Sequence, residues 1–263
     1  MWVKIAPNQI SLRIEEKKVG LVYEMTHEVA YYECDMNGQM TPSMLVAVAI
    51  KASEQQSMKL GRGTAYIHGL GLNWIITEYE IQVKQLPVVG QQLIFKTEAV
   101  AYNRFFCYRN FWVFNEIGEE LVLIQSIFAL MNQETRKISR VQESIIAPYQ
   151  SEAIKSIRRT ANFLPLDQYE ETDLTIQYYD IDENHHVNNA VYFTWMFAPL
   201  GLEFLDSYEL VDSHIRFEKE VVYGENPHVR FEKINEGDKM LTKHEIIVND
   251  QVCSRGQMLW HKK

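Results

Sequence analysis

Asp182, Asn184 and His186 stand at alternate positions in the run DIDENHHVNNAVY, residues 180–192. In an extended segment, alternate side chains project to one side. A carboxylate, a carboxamide and an imidazole can therefore converge on one point. The residues that follow are apolar and helix-forming, and the start of a helix has spare backbone N–H groups that suit a developing negative charge. Histidine exchanges a proton near neutral pH. Together these groups point to acyl transfer to water. The N–H groups of Val187, Asn188 and Asn189 are the expected oxyanion donors. The side chains of Asn188 and Asn189 also suit helix caps, and His185 is expected to face solvent.

The stretch has an internal counterpart. Residues 31–43 read YYECDMNGQMTPS against YYDIDENHHVNNA at 178–190. Tyr31/Tyr178, Tyr32/Tyr179, Asp35/Asp182 and Asn37/Asn184 are identical pairs. A second register supports the repeat, with IQVKQLPVVGQ (81–91) lying over IRFEKEVVYGE (215–225). Gln39 lies under His186, and Leu86 and Pro87 lie under Glu220 and Val221. The first half thus lacks the imidazole, which implies one active site per chain, in the second half.

A helix follows each stretch. The first is expected over Pro42 to Leu60, with Thr41 as N-cap, Pro42 at the first helical position and Gly61 as the stop. The second should start at Asn188 or Asn189 and run to about Leu205, kinked or divided by Pro199. Strand-rich segments come next, at Asn73–Leu86, Gln91–Tyr102, Phe105–Asn115 and Glu120–Asn132 in the first half. Ser213–Tyr223, His228–Lys233, Met240–Val248 and Val252–His261 answer them in the second. One strand, one helix and several antiparallel strands, given twice, is an α+β pattern with two sheets, each wrapped around a central helix. The connection from Arg136 to Thr172 is polar and mixed. It places the domain boundary near 150, giving domains 1–150 and 151–263, the latter including the linker. Trp74, entering the strand after the first helix, is a candidate wall of a substrate pocket, as well as a candidate for core packing.

The chain has 263 residues, 46% of them hydrophobic, and a net charge of −9. That balance suits a globular core and argues against general nucleic-acid binding, which wants a basic face. No apolar run is long enough to span a bilayer, so no membrane insertion is expected. Met1 to Gly20 shows no apolar segment of the secretory kind. Cys34, Cys107 and Cys253 are odd in number and widely spaced, which suggests reduced thiols and a cytoplasmic location. The histidines show no metal-ligand spacing, and neither metal nor cofactor is expected.

The 182–192 segment resembles the D-x-N-x-H-V-N-N-x-x-Y motif of the acyl-acyl-carrier-protein thioesterases, both bacterial and plant plastid. The resemblance runs from about Tyr23 to Trp260 and includes the duplicated layout. It implies a tandem hotdog fold and hydrolysis of acyl-acyl-carrier-protein thioesters to free fatty acids, in fatty acid biosynthesis. Position by position, Asp182, Asn184 and His186 match the motif, and the family's further catalytic glutamate falls on Glu220. Plant members follow that glutamate with a cysteine; here Val221 stands there, so water is the expected nucleophile.

The implied partner is acyl carrier protein with its phosphopantetheine-linked acyl chain. It is acidic, as is this chain, so docking needs a local basic patch. Candidates are Lys51, Lys59 and Arg62; Arg136, Lys137 and Arg140; or Lys155, Arg158 and Arg159. Monomer and homodimer are both compatible with the duplicated layout. The competing readings are an acyl-CoA thioesterase, a hotdog dehydratase and a non-catalytic acyl-binding module.

Overall fold

A computed structural model describes residues 20–263. The reading of Met1 to Gly20 therefore falls, apart from Gly20, outside the described residues. The first half contains β1 (Val22–Glu28), α1 (Pro42–Lys59), α2 (Thr64–Gly69), β2 (Leu72–Val83), β3 (Gln92–Tyr102), β4 (Phe106–Asn115) and β5 (Glu120–Asn132). A connecting stretch holds β6 (Ile138–Ser139), α3 (Glu143–Ile146) and β7 (Glu152–Ala153). The second half contains β8 (Glu170–Asp173), α4 (Val191–Phe197), α5 (Leu202–Ser207), β9 (Tyr208–Phe217), β10 (His228–Glu236), β11 (Lys239–Val248) and β12 (Gln251–Lys262).

The strands run in the order β1-β3-β4-β5-β2-β9-β12-β11-β10-β8. Each half repeats the other in mirror order, and the equivalent strands β2 and β9 pair antiparallel in the middle. The two sheets expected from the sequence are thus joined edge to edge into one continuous sheet. This is the α+β tandem hotdog architecture. The junction removes one exposed edge from each half, where unpaired N–H and C=O groups would invite aggregation.

The sequence signals for α1 are all realised. Thr41 Oγ1 accepts the Met44 N–H at 3.3 Å, Pro42 opens the helix, and Gly61 follows its end at φ 66°. The helix buries Leu45, Val46, Val48, Ala49 and Ala52 in the core. Its counterpart is shorter than expected. Proline lacks an N–H and its ring clashes with the carbonyl four residues earlier, so Pro199 ends α4 in a 3-10 turn over Ala198–Leu200. The chain resumes as α5. The whole of α4 is aromatic-rich, and Tyr192, Phe193, Trp195, Met196 and Phe197 are buried. Gly256 on β12 lets α4 sit this close, since a Cβ there would stand 2.6 Å from Met196 Sδ.

The stretch between the halves is packed at its middle and exposed over most of the rest. Ile145, Ile146 and Tyr149 are buried. Further on it is tied across the strand junction. The Phe163 ring stacks on His214 at 4.2 Å, and Thr160 Oγ1 accepts from Arg216 at 2.9 Å. Among the described residues, no helix is long and apolar enough to cross a membrane.

His244 on β11 is fully buried, stacked on Phe231, with Nε2 2.9 Å from Thr242 Oγ1 and no partner for Nδ1. Burial pushes its pKa down to about 3. The unfolded chain, with histidine near ~6.5, takes up a proton that the folded chain refuses. Stability should therefore be present above pH ~6.5 and be lost as pH falls through the window toward 3, by about 3 kcal/mol from this group at pH ~4.5. Urea unfolding at pH ~7 and ~4.5 should show that His244→Leu removes most of this difference.

Candidate functional site

The two motif loops fold alike. In the second half, Asp182 N–H donates to the His186 carbonyl at 3.0 Å, and His185 N–H donates to the Asp182 carbonyl at 3.0 Å. Asp182 Oδ1 accepts the Asn184 N–H at 2.8 Å. In the first half, Asp35 Oδ1 accepts the N–H groups of Asn37 and Gln39, both at 2.9 Å. The aspartate folds the loop in both halves, which explains its presence where the histidine is absent. The sharp position is Gly38, φ 75°, in one loop and His185, φ 65°, in the other. The repeat register is also physical: Met40 N–H donates to Pro87 O at 2.7 Å, and Val187 N–H to Val221 O at 2.8 Å.

The four residues singled out in the sequence come together. The His186 ring lies between two carboxylates, with Nδ1 3.7 Å from Asp182 Oδ1 and Nε2 3.7 Å from Glu220 Oε1. Both gaps exceed a hydrogen bond, so neither carboxylate holds the ring directly. Nδ1 stands 3.2 Å from the Val187 carbonyl, which can fix the tautomer by accepting its proton. Glu220 Oε1 is buried without a hydrogen-bond partner, whereas Oε2 is held by the Arg136 guanidinium.

Glu220 is not on a strand, contrary to the expected Ser213–Tyr223. The strand β9 ends at Phe217 because Glu218 and Lys219 N–H both donate to Cys253 O, at 2.8 and 3.0 Å. The Val221 carbonyl is meanwhile committed to the motif loop. These bonds draw residues 218–221 off the sheet and under His186.

The oxyanion expectation needs correction. Val187 N–H is spent on Val221 O, and Asn188 N–H on Asp180 O at 2.8 Å. The helix proper begins only at Val191, because Asn188 Oδ1 accepts the Ala190 N–H at 2.9 Å and forms a separate turn first. Of the three, the Asn189 N–H alone donates to no described residue. The Asn189 side chain reaches Ile76 O at 3.5 Å.

Two first-half residues that the spacing could not reveal as site residues complete the cluster. Asn73, at the start of β2, donates through Nδ2 to Asn184 Oδ1 at 3.2 Å. This leaves the Asn184 NH₂ unspent. Arg136, in the turn after β5 at φ 52°, reaches Glu220. In the sequence it stands out only as part of a basic run, and its target lies 84 residues away.

A cavity of about 760 Å³ opens at these residues and runs into the first half. Val46, Ile50, Ile76 and Phe128 line it, as does Trp74, whose ring sits edge-on to Phe128 at 6.2 Å. Cys253 lies behind the loop, fully buried, its thiol pushed up by burial and bonded to Gln251 O at 3.6 Å. Elsewhere, Glu78, Glu80 and His214 offer ligand atoms within 4.8 Å of one another. The Arg216 guanidinium, 3.2 Å from Glu78, already supplies a cation there.

The profile of the acyl-ACP thioesterase N-terminal domain matches residues 20–149, and that of the C-terminal domain residues 164–262. A Cuphea viscosissima chloroplastic acyl-[acyl-carrier-protein] hydrolase, FATB2, is 28% identical over 76% of this chain and 52% of its own length. The chain spans about half the length of the curated plant relatives that head the comparison. A Lactobacillus plantarum protein assigned as an oleoyl thioesterase is 34% identical, with a TM-score of 0.89 over 92% of this chain and 97% of that one. The 12:0-ACP thioesterase of Umbellularia californica, 18% identical, shares the fold with a TM-score of 0.80 over 92% of this chain and 98% of its own.

The left-handed His185 is strained as no glycine would be. His185→Gly should raise unfolding stability by about 0.5–1 kcal/mol, net of the extra unfolded-state entropy. Chemical denaturation of the two proteins checks this.

Proposed function

The chain belongs to the acyl-ACP thioesterase family, and on that premise we propose that it hydrolyses acyl-acyl-carrier-protein thioesters, releasing free fatty acid in fatty acid biosynthesis. The observation that carries this reading is the His186 ring between Asp182 and Glu220 at the mouth of the cavity.

The acyl chain enters the cavity and its thioester carbonyl stops at the motif. Water sits against Glu220 Oε1 and His186 Nε2, the two unbonded atoms that face each other. The pair takes its proton as the water oxygen attacks the carbonyl carbon. Negative charge on the carbonyl oxygen is met by the Asn189 N–H and the Asn184 NH₂; such fixed donors are each worth about 10²–10³ in rate. The tetrahedral intermediate collapses, the C–S bond breaks and the phosphopantetheine thiolate leaves, taking up the proton. Asp182 holds the loop through the Asn184 N–H. A buried, neutral Cys253 thiol off the cavity is no competitor for water.

The carrier protein docks at the cavity mouth. Arg62 and Arg136 line the cavity, with Lys137 next to Arg136 and Arg140 just past β6, both exposed. We place the enzyme in the cytoplasm, where its cysteines, all free, stay reduced. The domain division near 150 is kept, with the second domain supplying the chemistry and the first most of the acyl pocket.

The deciding experiment is steady-state hydrolysis of acyl-carrier-protein thioesters of increasing chain length beside the matching acyl-CoAs. Preference for carrier-protein substrates supports the proposal; equal or better acyl-CoA turnover moves the protein to an acyl-CoA thioesterase, and turnover of neither makes it a binding module. His186→Ala and Glu220→Gln should each lower kcat by about 10²–10⁴ with unchanged melting. Asn73→Asp, which cannot donate to Asn184, should lower kcat by up to about 10². Lys137→Glu with Arg140→Glu should raise KM for the carrier-protein substrate and leave a small thioester unaffected, and added salt should mimic this effect.

A further inference from the structure

The deep part of the cavity is not uniformly apolar. Arg109 on β4 lines it, yet the residue is only 8% exposed. Its Nη1 donates to Gln56 Oε1 at 2.7 Å and to Thr97 Oγ1 at 2.9 Å. Its Nε and Nη2 donate to no described residue, and no described carboxylate pairs with it. The guanidinium lies over the Tyr149 ring at 5.4 Å, and Tyr149 in turn donates to Ser57 Oγ at 2.8 Å. Burial lowers the Arg109 pKa only to about 10, so the charge remains at neutral pH.

A second group in the same cavity is also without a partner. Tyr79 Oη is buried and makes no hydrogen bond. Ser126 of β5 stands opposite Arg109 on one side and Tyr79 on the other. Directly opposed residues share a sheet face, so the three form one row. Met131, which opposes the site residue Asn73, lies five residues further along β5, roughly 17 Å away. Arg109 stands at the distal end of this row, whereas Tyr79 lies nearer the motif, three residues from Ile76, whose carbonyl meets the Asn189 side chain.

A buried charge without a carboxylate is costly unless something hydrogen-bonds to it. A plain hydrocarbon chain would seal Nε and Nη2 against methylenes. A chain with an oxygen at that depth would satisfy them. We propose that Arg109 forms a polar subsite that selects acyl chains bearing a hydroxyl or oxo group in their distal half. The proposal rests on the thioesterase reading and adds a substrate class to it. Sites built to hydrogen-bond a substrate oxygen reject the analogue that lacks it.

The test is kcat/KM for palmitoyl-carrier-protein against its hydroxy and oxo derivatives, substituted from mid-chain to the far end, with the ω-carboxy chain as a separate arm. Preference of about tenfold or more for a hydroxy or oxo chain is expected, falling to within about twofold in Arg109→Met. Fluorescence titration of the wild-type protein with free hydroxy and plain fatty acids reads the same preference without any variant. Equal rates and equal binding overturn the subsite and leave the thioesterase standing. Preference for the ω-carboxy chain alone, or preference that survives in Arg109→Met, also overturns it. Binding preference without hydrolysis of any thioester keeps the subsite and defeats the thioesterase reading.

Discussion

Strands β2 and β9 pair over five positions, from Glu78 opposite Arg216 to Gln82 opposite Asp212. At this seam Glu78 is buried between His214 and Arg216. Burial alone would raise its pKa, but hydrogen bonds from His214, Arg216 and Thr160 bring it below the ordinary value. A carboxylate so placed is tolerable only while both hydrogen-bond partners stay in position, so the seam has one register. That register carries the start of β2 and the turn after β5 to the second-half motif. Without it, Asn73 would not reach Asn184, and Arg136 would not reach Glu220.

The pseudo-symmetry makes the division of labour readable. Asn37 reaches across to Asp206 at 2.9 Å, as Asn184 reaches to Asn73. Both motif loops therefore brace the opposite half, and this bracing does not require catalysis. What distinguishes the second loop is chemistry added to the same scaffold. An imidazole replaces Gln39, a carboxylate replaces Leu86, and a strained histidine replaces Gly38. Backbone hydrogen bonds fix the loop in both cases, so the side chains at those positions were free to diverge.

The site also shows why the second helix is short. A helix starting at Asn188 would leave the Asn188, Asn189 and Ala190 N–H groups all without an intrahelical partner. Instead the Asn188 side chain takes the Ala190 N–H, and helix α4 begins at Val191. The Asn189 N–H is left at the cavity edge. Pro199 limits the other end, and the aromatic residues between are long enough to fill the second core without more turns.

Much of this was legible in the chain. The α+β repeat, the cap and stop of α1, most strand limits and the cluster Asp182, Asn184 and His186 follow from local patterns. Capping, alternation and turn chemistry act over a few residues, so one sequence determines them. The match of Val221 to Pro87 was legible too, because the duplicated halves serve as each other's comparison. The union of two sheets into one, the departure of Glu220 from β9, and the arrival of Asn73, Arg136 and Arg109 were not. Each depends on contacts between residues tens of positions or more apart, brought together by strand pairing and by burial of a shared core. No local propensity encodes which carbonyl a given N–H will find, and this choice, at Val187 and Asn188, decided which donors the site has left to use.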